Sequence, residues 1–138
     1  MKKIYVLDAC ALIAFLNDEE GAQLVETLLS EASVQNVDLV MNRFNLLEIF
    51  YGIYRDDSIE EANSVMDKIA NLPVTIIDIL TDDVFYEAGK LKAENRISLA
   101  DAIAIGEANV RGAELVTCDH HEFDVLVEEE KMAACWIR

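Results

Sequence analysis

Apolar positions along the chain follow two rhythms. Short runs rich in strand formers, at Ile4–Leu7, Asp38–Met41, Val74–Ile79 and Leu115–Thr117, alternate with segments whose apolar residues recur every three or four positions. Ala9–Leu16 is too long and too rich in alanine for a strand and predicts a helix directly after the first run. In Gln23–Ala32, Leu24, Val25, Leu28, Leu29 and Ala32 share one helical face. Further helices are expected over Arg43–Tyr54, Ser58–Asn71, Thr81–Glu94 and Ser98–Arg111. Ser58 and Glu61 have capping-box spacing, with Ile59, Ala62, Met66 and Ile69 behind them, and Asn71 with Pro73 closes that helix. Ala133–Ile137 predicts a fifth strand at an edge.

Strands separated by helices imply right-handed crossovers and a parallel sheet covered on both faces. With no repeat, low-complexity segment or linker, residues 1–138 read as one α/β domain with four to five strands.

Composition narrows the picture. A chain of 138 residues that is 53% hydrophobic can bury a core, which excludes intrinsic disorder. Its 27 acids against 11 Lys and Arg leave a net charge of −16, which repels bulk nucleic acid and anionic membrane. A polynucleotide partner would have to be held by a local basic patch or through bound metal. Cys10, Cys118 and Cys135 are odd in number, widely spaced and without a CxxC pair. That argues against a disulfide framework and for a reduced, cytoplasmic setting. The opening MKKIYVLDACALIAFLN resembles a signal peptide, but Asp8 interrupts its apolar stretch. No apolar run reaches membrane-spanning length, so a soluble protein is expected.

Most of the acids are those of a solvated surface. Glu107, for example, has Arg111 one helical turn on, the spacing of an exposed pair. Four acids are placed differently. Asp8 ends the first strand and precedes an apolar helix; Asp119 holds the corresponding place after Leu115–Thr117. Glu48, in NLLEIFYGIY, and Asp101, in SLADAIAI, lie in apolar helical company without an intrahelical cation. Each has an ordinary alternative: a helix cap for Asp8, a capping box with Ser98 for Asp101, an ion pair with Arg55 for Glu48, and a turn or cap for Asp119. Taken together they suggest a site. Ligands of an open parallel sheet bind beyond the carboxyl ends of its strands, where Asp8 and Asp119 belong. Converging carboxylates need a counterion, and Mg²⁺ or Mn²⁺, which prefer oxygen ligands, would supply it. Such a site suits phosphodiester hydrolysis.

VLDACALIAFL, LLEIFYGI, SLADAIAIGEA and LVTCDHHEFDVL, in this order and at these spacings, resemble the successive motifs of PIN domains. The likeness is specifically to the VapC-type ribonuclease toxins of type II toxin–antitoxin modules, and it covers essentially the whole chain. It implies a three-layer α/β/α fold around a parallel sheet, Mg²⁺- or Mn²⁺-dependent endonucleolytic cleavage of RNA, a cognate antitoxin and dimerisation. By this resemblance Asp8, Glu48, Asp101 and Asp119 are the catalytic metal-site acids, with Thr117 a supporting hydroxyl. Family members often carry Ser or Thr where this chain has Cys10, so a supporting role there falls to a poorer hydrogen-bond donor.

Rival readings meet specific obstacles. A haloacid-dehalogenase-type phosphatase needs a second Asp where Cys10 stands, and a dinucleotide site needs a glycine-rich turn that DACALIA lacks. Cys118, His120 and His121, in an extended turn, make poor zinc geometry. The remaining alternative is a PIN-like binding module without nuclease activity, which the acidic charge favours. A homodimer is also expected, because Ser58–Asn71 and the aromatic-rich Phe44–Tyr54 offer more apolar surface than one copy must bury.

Overall fold

The computed structural model describes residues 2–138. Five strands, β1 (Lys3–Leu7), β2 (Val37–Asn42), β3 (Thr75–Ile77), β4 (Glu114–Thr117) and β5 (Ala134–Trp136), form one sheet in the order β3-β2-β1-β4-β5. All four pairings are parallel, with Val6 opposite Val40 on one side and Leu115 on the other. Seven helices connect them: α1 (Ala9–Leu16), α2 (Ala22–Ser33), α3 (Arg43–Asp56), α4 (Ile59–Ala70), α5 (Asp82–Glu94), α6 (Leu99–Arg111) and α7 (His120–Glu128).

Alternation along the strands divides the core in two. Val6, Val40 and Leu115 pack with Leu91 of α5, Ile105 of α6 and Phe123 of α7. Leu7, Met41 and Val116 point to the opposite layer and meet Leu12 of α1, Val25 of α2, Ile49 of α3 and Val65 of α4. The period-two side-chain alternation of a strand thus supplies both cores of a three-layer α/β/α sandwich. Helix α6 lies tightly against α5, where a Cβ on Gly106 would meet the Ala88 backbone at 3.2 Å. It ends at Gly112, whose φ of 64° favours glycine at this C-cap.

Most predicted elements are present, with four corrections. Val74–Ile79 shrinks to the three-residue β3. The segment after Thr117 is a helix, α7, rather than an extended turn; Asp119 caps it and Phe123 anchors it with no exposed surface. Glu107 is not solvated: it is 1% exposed, accepting from Asn42 Nδ2 at 3.1 Å and from Arg111 Nε at 2.9 Å. Finally, Cys10 and Cys118 form a disulfide across 108 residues, against the expectation of free thiols. The reason is the strand order, which sets the start of α1 beside the end of β4.

Candidate functional site

In a sheet ordered 3-2-1-4-5, the chain leaves β1 and β4 in opposite directions, and a crevice opens between their carboxyl ends. Asp8 and Asp119 flank it. Each caps the helix that follows its strand: Asp8 Oδ1 accepts from Ala11 N at 2.9 Å, and Asp119 Oδ1 accepts from His121 N at 3.2 Å. The cap readings were therefore correct but incomplete, since one accepted bond does not neutralise a carboxylate. Thr117, fully buried at the end of β4, joins the two acids. Its Oγ1 accepts from Asp119 N at 3.1 Å, and its hydroxyl hydrogen-bonds to Asp8.

Glu48 and Asp101 enter from α3 and α6. Ser98 caps α6, accepting from Asp101 N at 3.1 Å, while its hydroxyl also hydrogen-bonds to the Asp101 carboxylate. Glu48 is half-buried and has no arginine: Arg55 instead pairs with Asp56 at 2.8 Å. The contact to Glu48 comes from Asn45, whose Nδ2 reaches Ala100 O at 3.1 Å and Glu48 Oε1 at 3.5 Å. This buried amide ties α3 to α6, and its Oδ1 has no partner among the described groups.

The electrostatics show that these acids share a neighbourhood. Burial pushes Asp8 up to about 7; hydrogen bonds from Thr117 and the Ala11 amide oppose the rise, and the charges of Asp101 and Asp119 add to it. Asp101 is raised to about 6, again chiefly by burial, with Ser98 opposing and Asp119, Glu48 and Glu122 adding. Glu48 is also raised by burial, against the Asn45 hydrogen bond. Among the described residues, none of these four acids makes an ion pair with Lys, Arg or His.

Two contributors escaped the sequence reading. Glu122 lies on the first turn of α7, close enough to Asp101 to raise it. Its signal was the spacing from Asp119, hidden because α7 was read as a turn. Asn45 stood in view, one turn before Glu48, but nothing local marks a buried amide. Cys10 does not support the acids as a hydroxyl would, because its sulfur is bonded to Cys118. That bond also removes Cys118 from any zinc set. His120 is held by Asp124 and Arg138 O and stacks on Trp136.

The donor set fits a hard divalent cation. It is all oxygen, it lacks a protein counterion, and its most buried member is held near neutrality for want of one. Among the described residues no three His, Cys, Asp or Glu side chains close into a ready ligand cage. An unclosed carboxylate group suits a cation that keeps several waters.

A family model described as the PIN domain matches residues 5–128, so the chain belongs to the PIN-domain family. No curated protein matches it in sequence. Among solved structures it is similar to DNA-bound VapBC of Salmonella typhimurium, at 19% identity and a TM-score of 0.76 over 100% of both chains. VapBC-1 of nontypeable Haemophilus influenzae is similar at 21% identity and a TM-score of 0.69, over 96% of each chain. VapC20 of Mycobacterium tuberculosis, described as a sarcin–ricin-loop-cleaving toxin, matches at 14% identity and a TM-score of 0.65, over 88% of this chain and 94% of its own. At such identities the likeness shows the fold. No helix among the described residues is long and apolar enough to cross a membrane.

Proposed function

We propose that this chain is a divalent-metal-dependent endoribonuclease and the toxin half of a toxin–antitoxin pair. The observation that carries this reading is the electrostatic proximity of Asp8, Asp101 and Asp119, with Glu48 near Asp101, and no ion pair to any of the four among the described residues. Family membership and the toxins among its structural neighbours support it.

Held by these acids, Mg²⁺ or Mn²⁺ would make a bound water nucleophilic at neutral pH and offset charge on the departing oxygen. The chain supplies the positioning. Thr117 ties the Asp8 carboxylate to the backbone at Asp119. Ser98 and Asn45 hydrogen-bond to Asp101 and Glu48 respectively. A bound divalent cation would also offset part of the carboxylate charge where an RNA phosphate would sit.

Two surfaces fit the remaining expectations. A groove of about 550 Å³ along α1, α3 and α4 has Glu48 in its wall, so an antitoxin segment seated there would lie against a site acid. An apolar hollow of about 450 Å³ between α3, α5 and α6, with Phe44, Leu80, Phe85, Tyr86 and Leu99 exposed around it, suits a homodimer. Helix α4 offers less such surface than its sequence suggests, since Ala62, Val65 and Ile69 are buried in the core.

The test is cleavage of a structured RNA by purified protein. Cutting is expected with Mn²⁺ or Mg²⁺, not with EDTA, and not by Asp8→Asn. Equal cutting by Asp8→Asn would indicate a contaminant, and RNA binding without cutting would favour the binding-module reading. Copurification with the product of a neighbouring short gene tests the antitoxin, and light scattering tests the dimer.

A further inference from the structure

The Cys10–Cys118 bond joins the two turns that carry Asp8 and Asp119. Cys10 lies in the first turn of α1, just past Asp8, and Cys118 immediately precedes Asp119. We propose that this pair is a redox modification site that sets the order of the neighbouring carboxylate group. Its oxidant would be a low-molecular-weight disulfide of the glutathione class and its reductant a dithiol.

Geometry and topology support this. The Cα atoms are 6.2 Å apart, inside the range of an ordinary disulfide. Both residues are partly exposed rather than sealed in the core, so a small reagent can reach them. Backbone pairing between the two segments ends with Leu7 opposite Val116 and Asp8 N donating to Val116 O at 3.3 Å. Beyond that point the strands give way to α1 and α7, and Asp8 and Asp119 at their caps repel one another across the gap. The bond closes this gap where the ladder stops. It also closes a loop of 108 residues, long enough for a large effect on the unfolded chain.

In the oxidation step, one protein thiolate attacks the small disulfide and expels a small thiol. The second thiolate then attacks the mixed disulfide, forming the Cys10–Cys118 bond and expelling the other small thiol. Two cysteine sulfurs are oxidised, the reagent is reduced to two thiols, and those thiols carry away the two protons. A dithiol reverses the step. Cys135, free on β5, serves as an internal reference.

The consequence for cation binding rests on the metal reading above, whereas the bond itself does not. The full chain is treated with oxidised glutathione or with dithiothreitol, then unfolded, alkylated and weighed. One adduct, on Cys135, is expected after oxidation and three after reduction. The oxidised form should melt at least about 5 °C higher in EDTA, in line with closing a long loop. By calorimetry it should bind Mn²⁺ about three- to tenfold more tightly than the reduced form. Cys118→Ser should erase both differences, and the wild-type comparison stands even if that variant fails to fold. Three adducts after oxidation, or identical melting and Mn²⁺ affinity in the two forms, would overturn the proposal. Mn²⁺ binding by neither form overturns the metal reading instead, and the melting difference alone then decides the cysteine pair.

Discussion

Helix α6 carries two acids that the fold treats in opposite ways, and the contrast separates a buried acid with its partners from one left without a cation. Near its middle, Glu107 is buried between Asn42 and Arg111, which donate to its two oxygens. It locks α6 to the end of β2, where Asn42 Oδ1 in turn caps α3 by accepting from Phe44 N at 2.8 Å. At the first turn, Asp101 looks into the β1–β4 crevice and meets Ser98 and other acids, but no cation. Asp8, 5% exposed, shares that condition. Burial alone therefore does not distinguish the two acids. The absence of a cation does, because an unpaired buried carboxylate leaves a charge to be neutralised.

The contrast can be broken most forcefully at Glu107. Glu107→Gln strands Arg111 beside an amide and should destabilise the protein by about 3 kcal/mol, the low end for a buried pair because Arg111 reaches solvent. Urea unfolding in EDTA measures this. Asp101→Asn strands no cation and should leave stability at or near wild type in the same assay, and losses equal to those of Glu107→Gln would erase the distinction between the two acids.

The next effect is the pH dependence of the metal-free protein. Asp8 is raised from 3.8 to about 7 by burial, so the folded state holds its proton more tightly than the unfolded chain does. The stability it contributes is complete below its unfolded value and is lost as pH rises through about 7. Between pH 5 and pH 8 the Asp8 share should fall by roughly 2.5 kcal/mol. Asp8→Asn should flatten that part of the profile. Parallel profiles for mutant and wild type would show that Asp8 does not titrate in this way.

Glu48→Gln sharpens the comparison in the other direction. With Arg55 committed to Asp56, no buried cation is stranded, and one like charge is removed from the cluster. The metal-free variant should melt at or above wild type, by about 1 kcal/mol, and lose most of the stabilisation that Mn²⁺ confers. A marked drop in EDTA, beside a wild type indifferent to Mn²⁺, would remove Glu48 from the site. The smallest effect is expected of Thr117→Val, which keeps the side-chain shape and deletes the hydroxyl between Asp8 and Asp119. It should cost about 1 kcal/mol in EDTA, one buried hydrogen-bonding group, and weaken Mn²⁺ binding severalfold. Unchanged Mn²⁺ affinity would make Thr117 purely structural.

Much of this molecule was legible locally. Strand alternation, helical periodicity and the caps at Ser58 and Ser98 act within a few residues, and those elements appear where the pattern put them. Helix α7 was obscured because Asp119, His120 and His121 look like a turn until Phe123 has a core to enter. Glu48 and Asp101 stood out by their apolar company, and the places of Asp8 and Asp119 at the ends of β1 and β4 followed from reading a parallel sheet.

By itself, then, the sequence determined the alternation of strands and helices, the caps, and which carboxylates lacked a cation on their own helix. Those properties depend on neighbours three or four positions away. Only the tertiary structure decided which partners come from elsewhere. It gave Glu107 an amide from β2, denied Glu48 the guanidinium of Arg55, brought Glu122 towards Asp101, and set Cys10 against Cys118. These outcomes depend on the strand order β3-β2-β1-β4-β5, which makes the first and fourth strands neighbours and turns residues far apart in the chain into the two walls of one crevice.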